Sequence, residues 1–115
     1  MKIAVVTTFH EKGLTLYAQR MIDTFCANWP ESVHLYLYPE KCSPVVSDGD
    51  RITIKDPETV TGLQAFKTRW RDDPKARGWC EDSTKKLPDK QMKIGFRWDA
   101  IRFSNKVYAI FDCAA

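Results

Sequence analysis

KIAVVTT, Lys2–Thr8, is almost free of polar residues and rich in β-branched side chains. It does not alternate between apolar and polar. A short run of that kind predicts a strand buried on both faces, as in a parallel sheet. Working outward, FHEKG reads as a loop. Leu14–Trp29 then places apolar residues at Leu14, Tyr17, Ala18, Met21, Ile22, Phe25 and Trp29. That spacing predicts a helix with one apolar stripe. Pro30 ends it, because proline disfavours helical geometry in the residue before it.

SVHLYLY, Ser32–Tyr38, alternates: Val33, Leu35 and Leu37 fall on one face, and His34, Tyr36 and Tyr38 on the other. A loop rich in turn residues follows from Pro39 to Asp50, and RITIK, Arg51–Lys55, reads as a third short strand. Asp56 and Pro57 make a helix start, and Val60–Asp72 has the pattern of a second amphipathic helix. Asp73–Gln91 is charged, broken by Pro74, Gly78 and Pro88, and reads as a loop. The last helix is expected to begin near Phe96 or Trp98 and to run through the remaining residues. On it Ala100, Phe103, Val107, Ile110 and Ala114 form one apolar stripe, and Trp98, Ile101, Tyr108 and Phe111 a second. Two stripes predict a largely buried helix. Asp99, Arg102 and Lys106 share a third side. They form either an i,i+3 ion pair beside a solvated lysine or a polar row facing a ligand cleft.

This order predicts an α/β layered domain with a mainly parallel three-stranded sheet, order 3-2-1, flanked by about three helices. With 115 residues the chain is expected to be a single domain, 1–115. The composition, 43% hydrophobic and 12% aromatic, is that of a folded protein. No apolar run reaches the ~20 residues that span a bilayer, and one Lys followed by IAVVTT is too short for a signal-peptide core. A cytoplasmic protein with no membrane partner is the expectation. Cys26, Cys42, Cys80 and Cys113 lack metal-ligand spacing and are read as free thiols. From Lys67 to Arg97 ten Lys/Arg stand against five Asp/Glu, with Trp70, Trp79 and Phe96 among them. Basic residues among aromatics suit phosphate or nucleic acid, but no nucleic-acid motif is present. The simpler reading of this segment is a solvated loop and helix face.

MKIAVVTTFHEKG, YAQRMIDTFCANWP, VHLYLYPE and GFRWDAIRFSNKVYAI, in this order, resemble the N-terminal half of GT-A, family-2-like glycosyltransferases of the kind found in phage and bacterial genomes. The resemblance covers most of the chain and is weakest from about Ser43 to Gln91. It implies a nucleotide-binding α/β sheet. Thr7, Thr8, Phe9 and His10 would form the loop that contacts the nucleotide, and Glu40 the acid that meets base or ribose. Arg102 and Lys106 would face the diphosphate. The family continues into a strand ending in Asp-x-Asp, whose carboxylates hold Mn2+ or Mg2+, and then into an acceptor-binding half. Neither follows within these residues. DGD, Asp48–Asp50, spells the motif, but far ahead of the last helix. The expectation is therefore a nucleotide-sugar-binding half-domain with no catalytic residues, no cofactor in this chain and no activity alone. Two alternatives stand beside it: a small phage-type protein that acts by binding other proteins, such as inhibition of a host complex, and a nucleic-acid binder through residues 67–97. An unpaired first-strand edge and an overly apolar last helix also predict a homodimer or another protein partner through those surfaces.

Overall fold

A computed structural model describes residues 2–81 and 92–115. Three strands, β1 (Ala4–His10), β2 (His34–Glu40) and β3 (Ile52–Ile54), form a parallel sheet in the order β1-β2-β3. The register pairs Ala4 with His34 and His10 with Glu40 across β1 and β2, and Leu35 with Ile52 across β2 and β3. The expected order and direction hold. β1 and β2 run two residues further than expected, so His10 ends a strand and does not sit in a loop.

Helical structure begins at once after β1. A single turn, α1 (Glu11–Gly13), leads through a π-helical stretch, Leu14–Ala18, into α2 (Gln19–Asn28). At Gly13 a Cβ would meet the Tyr17 hydroxyl at 2.7 Å, so a larger residue there would have to displace that exposed side chain. Ala18, Ile22 and Phe25 from this helix pack on Val33, Leu35, Leu37, Ile52 and Phe9 to form one core. The other face of the sheet carries Tyr38, which packs with Val60, Leu63 and Ala109. These come from α3 (Thr61–Trp70), the loop before it, and α4 (Ala100–Ala114). The alternation read in Ser32–Tyr38 thus sorts its side chains to the two faces as expected, and each buried Leu or Tyr contributes roughly 1.5–3 kcal/mol. α3 and α4 approach closely at Gly62, where a Cβ would lie 3.0 Å from the Tyr108 ring.

Arg51 fastens the start of β3 to the end of α2. Its Nη1 donates to the Cys26 carbonyl at 3.3 Å, and its Nη2 to the Trp29 and Pro30 carbonyls at 3.0 and 2.9 Å. The guanidinium carbon lies 4.9 Å from the Phe25 ring centroid. One side chain therefore satisfies carbonyls that a helix leaves orphaned at its C-terminus.

Four expectations need correction. Arg77–Glu81, within the segment read as a loop, is a strand, β4; it pairs antiparallel with β5, Met92–Asp99. The ladder is irregular between Arg77 and Trp79, where Gly78 has φ 83°, a conformation that favours glycine and suits a bulge. The remainder of that loop and much of the basic segment lie outside the described residues. Second, the last helix starts at Ala100, not at Phe96 or Trp98, because Asp99 caps it: its Oδ1 accepts from the Arg102 backbone N–H at 2.9 Å. Third, α4 is not largely buried, and the side chains left uncovered are those expected to stay so with only one sheet face to pack on. Ser104, Asn105 and Ala109 are buried, whereas Phe103, Val107, Ile110 and Phe111 are 41, 47, 45 and 69% exposed. A three-stranded sheet offers this helix a single face, and its inner row is the one built from small residues that allow close approach. β1, expected to be buried on both faces, is for the same reason half-buried along most of its length: it is an edge strand.

Candidate functional site

Parallel strands place their carboxyl ends along one rim, where ligands of open α/β sheets bind. Here that rim holds His10 at the end of β1, Glu40 at the end of β2, and Asp56 just beyond β3. A cavity of about 270 Å³ opens between them, lined also by Lys41, Pro57, Glu58 and, from α3, Lys67. Asp56 is committed to local structure, since its Oδ1 accepts from the Glu58 backbone N–H at 2.9 Å. Lys41 has φ 53° and is the one non-glycine residue with positive φ among the described residues. A left-handed backbone costs a lysine on the order of 1 kcal/mol, and strain of this kind concentrates at binding sites.

His10 joins this cavity to α4. Its Nδ1 accepts from the Gly13 N–H at 3.1 Å, and its Nε2 lies 3.2 Å from Arg102 Nη2. One turn further along α4, Lys106 lines a second cavity, about 280 Å³, with Val6, Thr7, Thr8 and Ile110. This one lies against the outer edge of β1, on which no strand pairs among the described residues. The residues that the resemblance selected thus divide into two neighbouring groups. His10 and Glu40 share one cavity, with Arg102 touching His10; Thr7, Thr8 and Lys106 share the other. Phe9 stands apart: it is only 2% exposed and belongs to the core against α2. Its side chain serves packing. It has the same strand parity as Val5, which packs there too, so the period of two already pointed inward.

A cluster that sequence reasoning missed lies behind the site. The Tyr38 hydroxyl donates to Asp112 Oδ2 at 2.7 Å, and Lys55 Nζ reaches the same oxygen at 3.2 Å. The bonds tie the last turn of α4 to β2 and to the residue after β3. The signal available was chemical: a tyrosine that packs into a core needs a partner for its hydroxyl. The hydrogen bond from Tyr38, aided by Lys55 and opposed by burial, holds the Asp112 carboxyl below its ordinary range. Burial, followed by the bond to Asp112, pushes the Tyr38 phenol well above its ordinary value. A carboxyl lowered by folding stabilises the fold above its unfolded pKa, near 4, and that contribution is lost as pH falls through the lower folded value. At pH 7, Asp112→Asn is expected to destabilise the protein by about 1 kcal/mol. The difference from wild type should shrink below about pH 3. Urea melts of both proteins at the two pH values check this; a gap that widens in acid would contradict it.

Three cysteines, Cys26, Cys42 and Cys113, are free thiols, while the side chain of Cys80 lies outside the described residues. Cys42 borders the rim, but burial, with the nearby carboxylates of Glu11 and Glu40, pushes its thiol up and keeps it protonated. A divalent ion does not fit the residues present: among the described residues no three His, Cys, Asp or Glu side chains gather as ligands. Asp48 and Asp50 precede β3 and so lie at the opposite end of the sheet from the rim. No helix among the described residues is long and apolar enough to cross a membrane. Comparisons with protein-family models, curated proteins and solved structures return no match to this chain.

Proposed function

We propose that this chain is a glycosyltransferase-like half-domain that binds the nucleoside-diphosphate portion of a nucleotide sugar and transfers no sugar by itself. One observation carries the reading: His10 and Glu40, paired in register at the carboxyl ends of adjacent parallel strands, open onto one polar cavity, and His10 meets a guanidinium from α4. Glu40 is the acceptor suited to ribose hydroxyls, and Arg102 with Lys106 the donors suited to phosphate. Group transfer needs a charge clamp on the leaving diphosphate, and the acidic residues of the rim are not arranged to hold one. Calorimetry against UDP, GDP, ADP and CDP tests the reading, each compared with its nucleoside. At least one diphosphate is expected to bind at least tenfold more tightly than its nucleoside. Equal affinity, or no heat at millimolar ligand, would contradict the proposal. Incubation with nucleotide sugars and Mn2+ is expected to give no turnover.

A second reading, a surface for a second copy of the chain, is favoured by the exposed row Val107, Ile110 and Phe111 on α4. It borders the cavity at the unpaired edge of β1. Edge strands with free backbone donors and acceptors pair readily, and two β1 edges meeting about a two-fold axis would bring the two α4 rows together in an isologous contact.

A further inference from the structure

The rim cavity carries charges of both signs that are not paired with each other. Three carboxylates line it, Glu40, Asp56 and Glu58, with two ammonium groups, Lys41 and Lys67, and the His10 ring. The ion pairs among the described residues lie elsewhere, at Lys55–Asp112 and Arg71–Asp72. Asp56 is held by the Glu58 backbone N–H, whereas the Glu58 carboxylate itself accepts no hydrogen bond among the described residues. Carboxylates outnumber lysines here, so the cavity as a whole is poorly suited to a phosphate. The second cavity differs. Thr7, Thr8 and Lys106 line it with Val6 and Ile110, and among the described residues no carboxylate does. Phosphate suits that cavity. The rim cavity is left for an uncharged group that offers donors to carboxylates and acceptors to ammonium groups.

A nucleobase is such a group, and the bases differ in how they present donors. Adenine and cytosine offer one amino group, and uracil one ring N–H. Guanine sets N1–H and the N2 amino group side by side, spaced for the two oxygens of one carboxylate, and adds two acceptors, O6 and N7. We infer that the rim cavity is a guanine pocket, in which Glu58 accepts from N1–H and the N2 amino group and Lys67, from α3, donates to O6 or N7. Glu40 serves the ribose, and the diphosphate leaves the cavity toward Thr7, Thr8 and Lys106. Pro57 and the methylene stems of Lys41 and Lys67 offer the apolar surface that a flat ring needs. The inference rests on the proposed nucleotide reading for the class of ligand, and on the unpaired charges of the cavity for the base. It narrows the substrate class to guanosine-diphosphate sugars.

Calorimetry on the intact chain tests it with GDP, IDP, ADP, CDP and UDP, and with guanosine and inosine. Inosine and IDP lack only the N2 amino group. GDP is expected to bind at least tenfold more tightly than IDP and than each of the others. Glu58→Gln should remove that preference, because a carboxamide has one acceptor oxygen and sets an NH2 against the second donor. GDP affinity should then fall about tenfold, to that of IDP, while IDP affinity stays within twofold. Glu58 is exposed, and amide spectra of the variant check that its fold is unchanged. A preference for GDP over IDP that survives Glu58→Gln would overturn the inference. If UDP, ADP or CDP binds more tightly than GDP, the guanine assignment fails and the nucleotide reading stands. If guanosine is preferred over inosine through Glu58 while GDP binds no more tightly than guanosine, the guanine pocket stands and the diphosphate reading fails. No binding by any of the seven would overturn both.

Discussion

Replacing Arg51 with alanine is expected to destabilise the protein by about 2–3 kcal/mol, one of the largest costs for a residue outside the apolar core. Charge-assisted hydrogen bonds contribute roughly 1.5–3 kcal/mol each when sheltered. Arg51 makes three, to the carbonyls of Cys26, Trp29 and Pro30. Two of them are exposed to solvent, so water recovers part of the loss and the sum is not additive. The contact with the Phe25 face adds about 0.5–1 kcal/mol. Phe25 belongs to the main core, so loosening the end of α2 is felt beneath it. Arg51→Lys should recover only a fraction, because an ammonium lacks the fork that reaches several carbonyls at once. Thermal unfolding is the check, with a fall of roughly 10 °C expected for the alanine variant. An alanine variant within a degree or two of wild type would show that the loop holds α2 by other means.

The second large effect concerns association. Wild-type protein at about 100 µM is expected to run as a dimer in light scattering, and Val107→Glu combined with Phe111→Glu as a monomer. Both positions are substantially exposed in the single chain, 47 and 69%, so the substitutions should cost the isolated fold little, within about 1 kcal/mol. A symmetric contact counts each change twice. Four half-buried side chains at about 1 kcal/mol each amount to roughly a thousandfold in the dissociation constant. Val5 is a poorer choice for a charge, because it packs against the core under α2, and its substitution would confuse association with stability. A wild-type protein that stays monomeric at this concentration would remove the second reading altogether.

Much of the fold was legible because it rests on periodicity. The unalternating Lys2–Thr8 and the alternating Ser32–Tyr38 both read as strands, and both are, in the expected direction and order, although the burial expected of the first on both faces gives way to an edge position. The hairpin was not read for a definite reason. Met92, Ile94, Phe96 and Trp98 recur every second residue, the period of a strand, yet they run directly into a helix whose own apolar residues blur the change of period at Asp99. The broken, charged stretch before them also hid β4, whose five residues include a glycine at positive φ. The rim was legible in part. His10 and Glu40 could be placed by counting to the ends of their strands. The contact between His10 and Arg102 spans 92 positions, and that between Tyr38 and Asp112 spans 74. Both depend on how α4 lies over the sheet, which no local pattern contains. Phe9 shows the opposite error, where a motif-based assignment took precedence over strand parity.

The central claim is that the carboxyl-end rim is the binding site, and amide chemical-shift mapping tests it most directly. Isotope-labelled protein is titrated with the diphosphate that calorimetry ranks first. The account predicts that the largest shifts fall on His10, Gly13, Glu40, Lys41 and Arg102, with smaller ones at Thr7, Thr8 and Lys106, and that α2 and β4 stay unmoved. Shifts centred on α2 or on β4, or none along the rim at saturating ligand, would contradict it.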